Sequence, residues 1–439
     1  MMTRPSLILK SKSELRENLK GVSNFLDRAS RLSFWHTHFA NQGFRFEPGK
    51  FDWNYWTNIP FVTKEDFLNL GLNRRLNDAN KITKSEPLHF ILQSTSGTSR
   101  TTRPILFLKN VDHLVDGKSH NKGRRILILY QGRAISLRDV FATIRQRKQK
   151  STISQSLVVN PFQFTGNMIE AISEFNADST VTFPASVAYL TSSFPENRKI
   201  FTPMKHVYLS GDFMSRQQAL LTQTKFKKAN IDIDYIMTEV DSIGICCKFL
   251  RARYGTNAYH PFNGRIIELV DIDENGVGEV VVTKTYPLEL SFIRYKTGDV
   301  ARAINKTCSC KAQWTIFLEG RKNMDYIKSL GVLITRSEIT RALKAFDKEI
   351  EEWRAEVREI PFKGALLGEL TLLIKPHNRL ADKDFLKKLK EDVGTKLLLT
   401  PQKTLAMLAS EKKFMPLKIQ VIKEFPPASK KVLLRKVLD

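Results

Sequence analysis

Three times along this chain a short β-rich run empties into a loop of hydroxyl, glycine and carboxylate residues. Phe90-Ile91-Leu92 leads to Ser94-Thr95-Ser96-Gly97-Thr98-Ser99, Tyr208-Leu209 to Ser210-Gly211-Asp212, and Ile231-Asp232-Ile233-Asp234-Tyr235-Ile236 to Thr238-Glu239. Further runs, Ile126-Leu127-Ile128-Leu129-Tyr130, Ser156-Leu157-Val158-Val159 and His206-Val207-Tyr208-Leu209-Ser210, alternate with helix-like stretches between about 88 and 320. This cadence predicts an α/β sheet whose strands end at ligand loops.

The flanks read differently. The first 90 residues carry amphipathic segments with aromatics, notably Phe34-Trp35 and Phe51-Asp52-Trp53-Asn54-Tyr55-Trp56, spaced as helices packing onto a core. Pro60 followed by Thr63-Lys64-Glu65-Asp66-Phe67 reads as a turn into an N-capped helix. His36 and His38, two positions apart, share no helix face and are expected to pack or to face solvent. Ile266–Asp271 and Gly278–Thr283 flank Asp273-Glu274-Asn275-Gly276, which predicts a hairpin in a smaller β-rich subdomain. After Arg321 the pattern mixes strand and helix. A chain of 439 residues exceeds one ordinary domain. The expected division is a large amino-terminal α/β domain over 1–321, containing the β-rich subdomain, and a small α+β domain over 322–439.

The formal charge of +25, from 70 Lys+Arg against 45 Asp+Glu, favours anionic partners such as nucleotides, CoA phosphates or an acidic protein. The basic clusters Lys122-Gly123-Arg124-Arg125 and Arg145-Gln146-Arg147-Lys148-Gln149-Lys150 sit in no recognisable nucleic-acid-binding motif, so solvated surfaces are the preferred reading over nucleic acid. The amino terminus lacks the apolar stretch of a signal peptide, and no run of about 18 apolar residues offers a membrane span. Cytoplasm is the expected compartment.

Five polar signatures occur in a fixed order: Ser94–Ser99, Tyr235-Ile236-Met237-Thr238-Glu239, Tyr295-Lys296-Thr297-Gly298-Asp299, Gly320-Arg321 and Lys430-Lys431. The first can wrap phosphate with hydroxyls and backbone amides, with Gly97 permitting close approach. It lacks the Gly-Lys-Ser/Thr ending of a P-loop, which argues against a motor ATPase or ordinary kinase. Alone, each signature reads as a turn, a cap or a basic tail.

Together their order resembles the adenylate-forming superfamily of acyl-CoA synthetases and peptide-synthetase adenylation domains, with the nearest likeness to phenylacetate-CoA-ligase-like enzymes. The resemblance implies that Ser94–Ser99 holds ATP phosphates, although Arg100 replaces the second glycine of the family's loop and Arg103-Pro104 ends it. It puts Gly211 and Asp212 beside adenine, Tyr235 stacked on adenine, Thr238 on phosphate and Glu239 on Mg²⁺. Ile236 stands where the family has glycine. Asp299 would accept both ribose hydroxyls, since a carboxylate can take two donors at once, and Arg321 would approach ribose and phosphate. Asn323 or Asp325 would be a hinge pivot, and Lys431, with Lys430 as the alternative, the catalytic lysine that neutralises charge between carboxylate and α-phosphate.

The four cysteines form a second set. Cys308-Ser309-Cys310, one of Cys246 and Cys247, and His260 between them would complete a Cys₃His structural zinc site, with free buried thiols as the alternative. Phenylacetate-CoA-ligase-like proteins carry a similar set at these places.

The implied activity is ATP-dependent conversion of a carboxylic acid to an acyl-adenylate, then transfer to the thiol of CoA or of an acidic carrier protein. Phe183–Tyr189 and positions 211–240 would line the acid pocket and hint at an aryl or apolar acid. An amine acceptor, transfer of AMP to another molecule, and a nonenzymatic basic scaffold or nucleic-acid-binding protein remain alternatives, and a homodimer is left open.

Overall fold

The computed structural model describes residues 7–9, 12–70, 73–74, 77–78, 90–94, 106–110, 125–129, 155–161, 166–194, 198–211, 213–237, 239–262, 264–285, 291–321, 326–377, 382–400, 402–425 and 434–437. The strands in chain order are β1 (Leu7–Ile8), β2 (Phe90–Ser94), β3 (Leu106–Asn110), β4 (Arg125–Leu129), β5 (Gln155–Val159), β6 (Ser179–Thr182), β7 (His206–Ser210), β8 (Asn230–Met237), β9 (Asp241–Cys246) and β10 (Ala258–Pro261). They continue as β11 (Arg265–Val270), β12 (Val277–Lys284), β13 (Phe292–Asn305), β14 (Trp314–Arg321), β15 (Tyr326–Ser329), β16 (Val332–Thr335), β17 (Ile350–Phe362), β18 (Ala365–Pro376), β19 (Lys418–Val421) and β20 (Leu434–Lys436). They belong to two compact units, one of residues 1–123, 136–154 and 232–322, the other of 124–135, 155–231 and 323–439.

In the first unit an antiparallel run follows the order β1-β11-β12-β13-β14-β10-β9-β8. The expected hairpin joins β11 and β12: Asp273 Oδ1 accepts the amides of Asn275 and Val277, each at 2.9 Å, and Gly276 takes the positive φ of 75° that closes the turn. Nearly every residue of β12 is buried, so both its faces are covered. The amino-terminal aromatics cover the start of the neighbouring strand, β13. Phe34 stacks on Phe67 with centroids 4.9 Å apart, Phe67 lies 5.1 Å from Phe292, and the Trp35 indole donates to Ser291 Oγ at 3.2 Å. Thr63 and Asp66 cap the helix Lys64–Leu70 reciprocally, as their spacing predicts. His38 is a core residue, its Nε2 3.1 Å from the Phe61 carbonyl.

One knot fixes the entry to the Tyr295–Asp299 segment. The buried Arg294 donates through Nε and Nη2 to Glu268 at 3.1 and 3.0 Å, and through Nη1 to the carbonyls of Thr57 and Ile59 at 2.9 and 2.5 Å. Its guanidinium also lies 4.1 Å from the Phe61 ring centroid. A buried pair of this kind is tolerated because each guanidinium nitrogen finds an acceptor.

The strand ahead of the hydroxyl-rich loop departs from expectation. β2 does lead to that loop, but it pairs with β3 as a separate antiparallel couple, with Ser94 opposite Leu106. A short apolar run carries no mark of which sheet it will join, because pairing is decided by distant partners.

The second unit holds the parallel part: β5, β4, β6 and β7 lie side by side in that order, with the helices Gly166–Glu174 and Pro184–Ser193 in the connections. The α/β cadence of the sequence is therefore present in these strands. The later segment forms β15–β16, and a β17–β18 hairpin reversed at Lys363-Gly364, both with positive φ, which matches the twist of the paired strands. β19 and β20 add parallel partners at the two edges. Its apolar cluster draws every buried member except Ala188 and Leu221 from positions 327–417. Buried Glu359 accepts from Ser215 Oγ at 2.7 Å, Gln218 Nε2 at 2.9 Å and Ser329 Oγ at 3.0 Å. No helix among the described residues is long and apolar enough to cross a membrane.

Candidate active site and metal centre

Within the antiparallel run, the paired stretch of β13 and β14, called the ribbon below, carries candidate chemistry at each end. At one end Asp299 stands opposite Arg321 in register, just after Gly298, whose φ of 78° suits glycine. Asp299 is 2% exposed, and both its oxygens are engaged: Oδ2 accepts the Tyr235 hydroxyl at 2.5 Å and Oδ1 accepts Arg321 Nε at 2.6 Å. Its amide donates to Thr297 Oγ1 at 3.1 Å, and that hydroxyl donates to the Val280 carbonyl at 2.8 Å. Three sequence signatures that are separate in the chain thus meet on one carboxylate. A carboxylate has about four acceptor positions, so two engaged ones leave capacity for further donors.

Tyr235 is held differently from a surface stacking platform. Its ring is buried, tilted 5.6 Å from Tyr259, and its hydroxyl anchors Asp299. Burial first, then the charge and hydrogen bond of Asp299, raise the phenol well above its ordinary value, so it stays a neutral donor. The second carboxylate, Glu239, lies at the chain reversal between β8 and β9 and receives the Tyr295 hydroxyl at 3.4 Å. Burial pushes Glu239 upward, against its backbone hydrogen bond and the charges of Arg321 and Lys64, while Asp299 adds to the rise. Two carboxylates therefore share the field of one guanidinium, with hydroxyl donors fixing both.

Other expected residues are placed less fully. Gly211 follows β7 in the second unit with a φ of 85°, and a side chain there would run into the Phe183 ring. Ser94 is the last residue of β2. Thr95 to Ser99, Asp212, Thr238, Asn323, Asp325, Lys430 and Lys431 lie outside the described residues.

At the other end of the ribbon, Cys247, His260, Cys308 and Cys310 bring one ligand atom each within 4.8 Å of one another. The Cys247 sulfur is 3.5 Å from His260 Nε2 and 3.7 Å from the Cys308 sulfur, and the Cys310 sulfur is 3.1 Å from Nε2. A zinc tetrahedron with ordinary bond lengths has edges of roughly 3.6 Å for S···N and roughly 3.8 Å for S···S. The first two separations match those edges, so the donor set fits zinc. His260 Nδ1 sits 2.7 Å from the Trp314 carbonyl, which assigns the proton to Nδ1 and leaves Nε2 as the lone-pair side.

Local structure decides between the paired cysteines. Cys247 caps the helix Lys248–Tyr254 and turns toward His260, while Cys246 is buried away from the cluster with its sulfur 3.7 Å from the Gly255 carbonyl. Burial pushes Cys246 up to about 12, as expected of an inert core thiol. At Cys308, burial is outweighed by the hydrogen bonds around its sulfur, that of the Cys310 backbone foremost, which bring it down to about 7. Burial raises Cys310 to about 11.

No known protein-family profile matches this sequence, and no curated protein does. Solved structures do match. The 2-hydroxyisobutyryl-CoA ligase in complex with 2-HIB-AMP and CoA, in its thioesterification state, aligns over 98% of this chain and 90% of its own, with TM-score 0.56 and 13% identity. The same ligase in its postadenylation state with 2-HIB-AMP aligns over 98% and 91%, with TM-score 0.54 and 13% identity. Its open conformation with 2-HIB-AMP and CoA aligns over 96% and 91%, with TM-score 0.52 and 14% identity. At such identity the likeness is one of architecture, and the mixed α/β class agrees with it: this chain has the fold of the adenylate-forming acyl-CoA ligases.

Proposed function

We propose that the chain is an ATP-dependent, AMP-forming ligase that activates an aryl or apolar carboxylic acid and passes the acyl group to a thiol of CoA or of a carrier protein. The observation that carries this reading is the Tyr235–Asp299–Arg321 cluster beside Glu239 and Tyr295. In it, Asp299 receives the ribose hydroxyls, Arg321 pairs with Asp299 and faces the phosphates, and Glu239 holds the divalent cation whose charge offsets that of the triphosphate. Ser94–Ser99 and Thr238 complete the phosphate contacts, with Gly211 and Asp212 beside the adenine. The substrate carboxylate oxygen attacks the α-phosphorus and pyrophosphate leaves, with Lys431 screening the two approaching anions. The thiolate sulfur then attacks the acyl carbon and AMP leaves.

In this reading residues 1–321 form the adenylation core and 322–439 a mobile lid turning at Asn323 or Asp325. The hydroxyisobutyryl ligase is known in postadenylation, open and thioesterification states, which supports a change of conformation between the two half-reactions. Cys247, His260, Cys308 and Cys310 hold a structural zinc, which ties β10 to the ribbon and supports placement in the phenylacetate-CoA-ligase-like branch.

The test is ATP–pyrophosphate exchange over a panel of carboxylic acids, followed by acceptor assays with CoA, carrier protein and amines. Exchange with an acid, then thioester formation, is the expected result. Amide formation without thioester would move the protein to the amide ligases, and no turnover with any acid would favour a scaffold. Lys431→Ala should slow exchange by about 10²-fold or more; an unaffected Lys431→Ala beside an inactive Lys430→Ala would shift the role by one position.

A further inference from the structure

We propose that Asp241 and Lys284 are positioning residues that lock the chain reversal presenting Glu239, and thereby set how tightly the site holds its divalent cation. The inference rests on the ligase reading for the role of Glu239, and on the geometry around Asp241 for the rest.

Met237 pairs with Asp241 across β8 and β9, which leaves only positions 238–240 to reverse the chain. Reversals this short close on a residue in the left-handed region, ordinarily glycine. Here that residue is Asp241, with φ of 60°. Aspartate enters this region at a steric cost that glycine does not bear. Something must hold it there, and two cations are arranged to do so. Lys284, 5% exposed at the end of β12, places Nζ 2.6 Å from Asp241 Oδ2. Arg265, directly opposite Lys284 in the β11–β12 register, donates Nε to the carbonyl of Ser242 at 3.1 Å. Like charges opposite each other on adjacent strands repel; these two converge on the first two residues of β9, where the Asp241 carboxylate answers them. The clamp fastens the strand immediately after Glu239. Asp241 stands two positions after Glu239 in the chain, so a clamp on Asp241 acts on Glu239 through the backbone of the reversal.

The experiment compares the full-length parent with Lys284→Met, Asp241→Val, and the double variant Asp241→Gly with Lys284→Met. Two quantities are read: the Mg²⁺ concentration for half-maximal pyrophosphate exchange, and Mn²⁺ binding in the presence of a nonhydrolysable ATP analogue by electron paramagnetic resonance. Lys284→Met and Asp241→Val should each weaken cation binding by about tenfold or more, in the range found when groups supporting a metal ligand are removed, with exchange at saturating Mg²⁺ changed far less. The double variant should recover most of the parent affinity, because glycine adopts the positive φ with no clamp. A Lys284→Met protein with parental cation affinity, or a double variant no better than Lys284→Met, overturns the proposal. A parent that binds no nucleotide-dependent Mn²⁺ overturns both this inference and the ligase reading. Absence of exchange with every acid, together with the expected pattern in Mn²⁺ binding, overturns the ligase reading alone. Hydrogen exchange across 239–246 checks folding: faster exchange confined to that stretch in Lys284→Met supports the clamp, and global loss of protection in Lys284→Met but not in the double variant supports it too, since only the former leaves Asp241 strained.

Discussion

The two ends of the β13–β14 ribbon solve opposite problems with the same backbone. At the Asp299–Arg321 end the groups are hard and charged, held by hydroxyls and a guanidinium, with acceptor capacity left over. At the far end, about 20 Å away by strand rise, Cys308 and Cys310 face Cys247 and His260, and four donors around one point leave no open position. A site that must exchange ligands keeps lone pairs in reserve, whereas one that must only hold closes its coordination. The prediction is that damage at the cysteine end is felt as stability and damage at the aspartate end as chemistry.

The largest expected effect is on the cysteine end. Purified protein should contain about one zinc per chain, and Cys308→Ser with Cys310→Ser should abolish it and lower stability by several kcal/mol, since structural zinc contributes directly to folding. Elemental analysis and thermal unfolding read this; a metal-free parent, or an equally stable variant, breaks the comparison. Any molecules of the variant that remain folded should keep the parental kcat.

Next in size is Asp299→Ala, which removes the ribose acceptor and strips partners from Tyr235 and Arg321. Weakened ATP binding with a kcat/KM loss on the order of 10²-fold is expected, since hydrogen bonds to a charged group contribute about 1.5–3 kcal/mol each. Loss of the fold instead, without a change in nucleotide affinity of the folded fraction, would make this end structural as well. Tyr235→Phe should be milder, removing one hydroxyl at about 1–2 kcal/mol and lowering ATP affinity by roughly tenfold; an unchanged affinity would mean that Arg321 alone fixes Asp299.

The smallest effect concerns pH. Burial raises Glu239, so its ionised form appears only above the ordinary carboxylate range, and cation-dependent activity should rise with pH through that raised value. The sign for stability is opposite: the contribution of neutral Glu239 is full below its unfolded pKa of about 4.3 and is lost as pH rises through the folded one. Saturating Mg²⁺ should move the acidic limb of the activity profile downward by competing with the proton. A limb indifferent to Mg²⁺ would remove Glu239 from the cation site.

What could be read in the sequence was local. The Asp273–Gly276 hairpin, the Thr63–Asp66 cap and the Cys-x-Cys turn each depend on residues within a few positions. The choice of Cys247 over Cys246 was not legible, because it depends on where β9 ends and the next helix begins: Cys246 closes the strand and Cys247 caps the helix. Nor was the Tyr235 hydroxyl on Asp299, which lies 64 positions on. Nothing in a run such as Phe90-Ile91-Leu92 tells whether its partner is β3 or the parallel strands. The Lys284–Asp241 pair spans 43 positions and belongs to no motif.

The aromatic cover of β13 has a consequence in time. Phe67 meets Phe292, so the surface that Phe34 and Phe67 bury against exists only after about 225 further residues have been made. At about 5–20 residues per second that delay is roughly 10–45 s on the ribosome. During it, a cluster of phenylalanine and tryptophan rings has no strand to cover, and the nascent chain should depend on chaperones in proportion to how slowly it is translated.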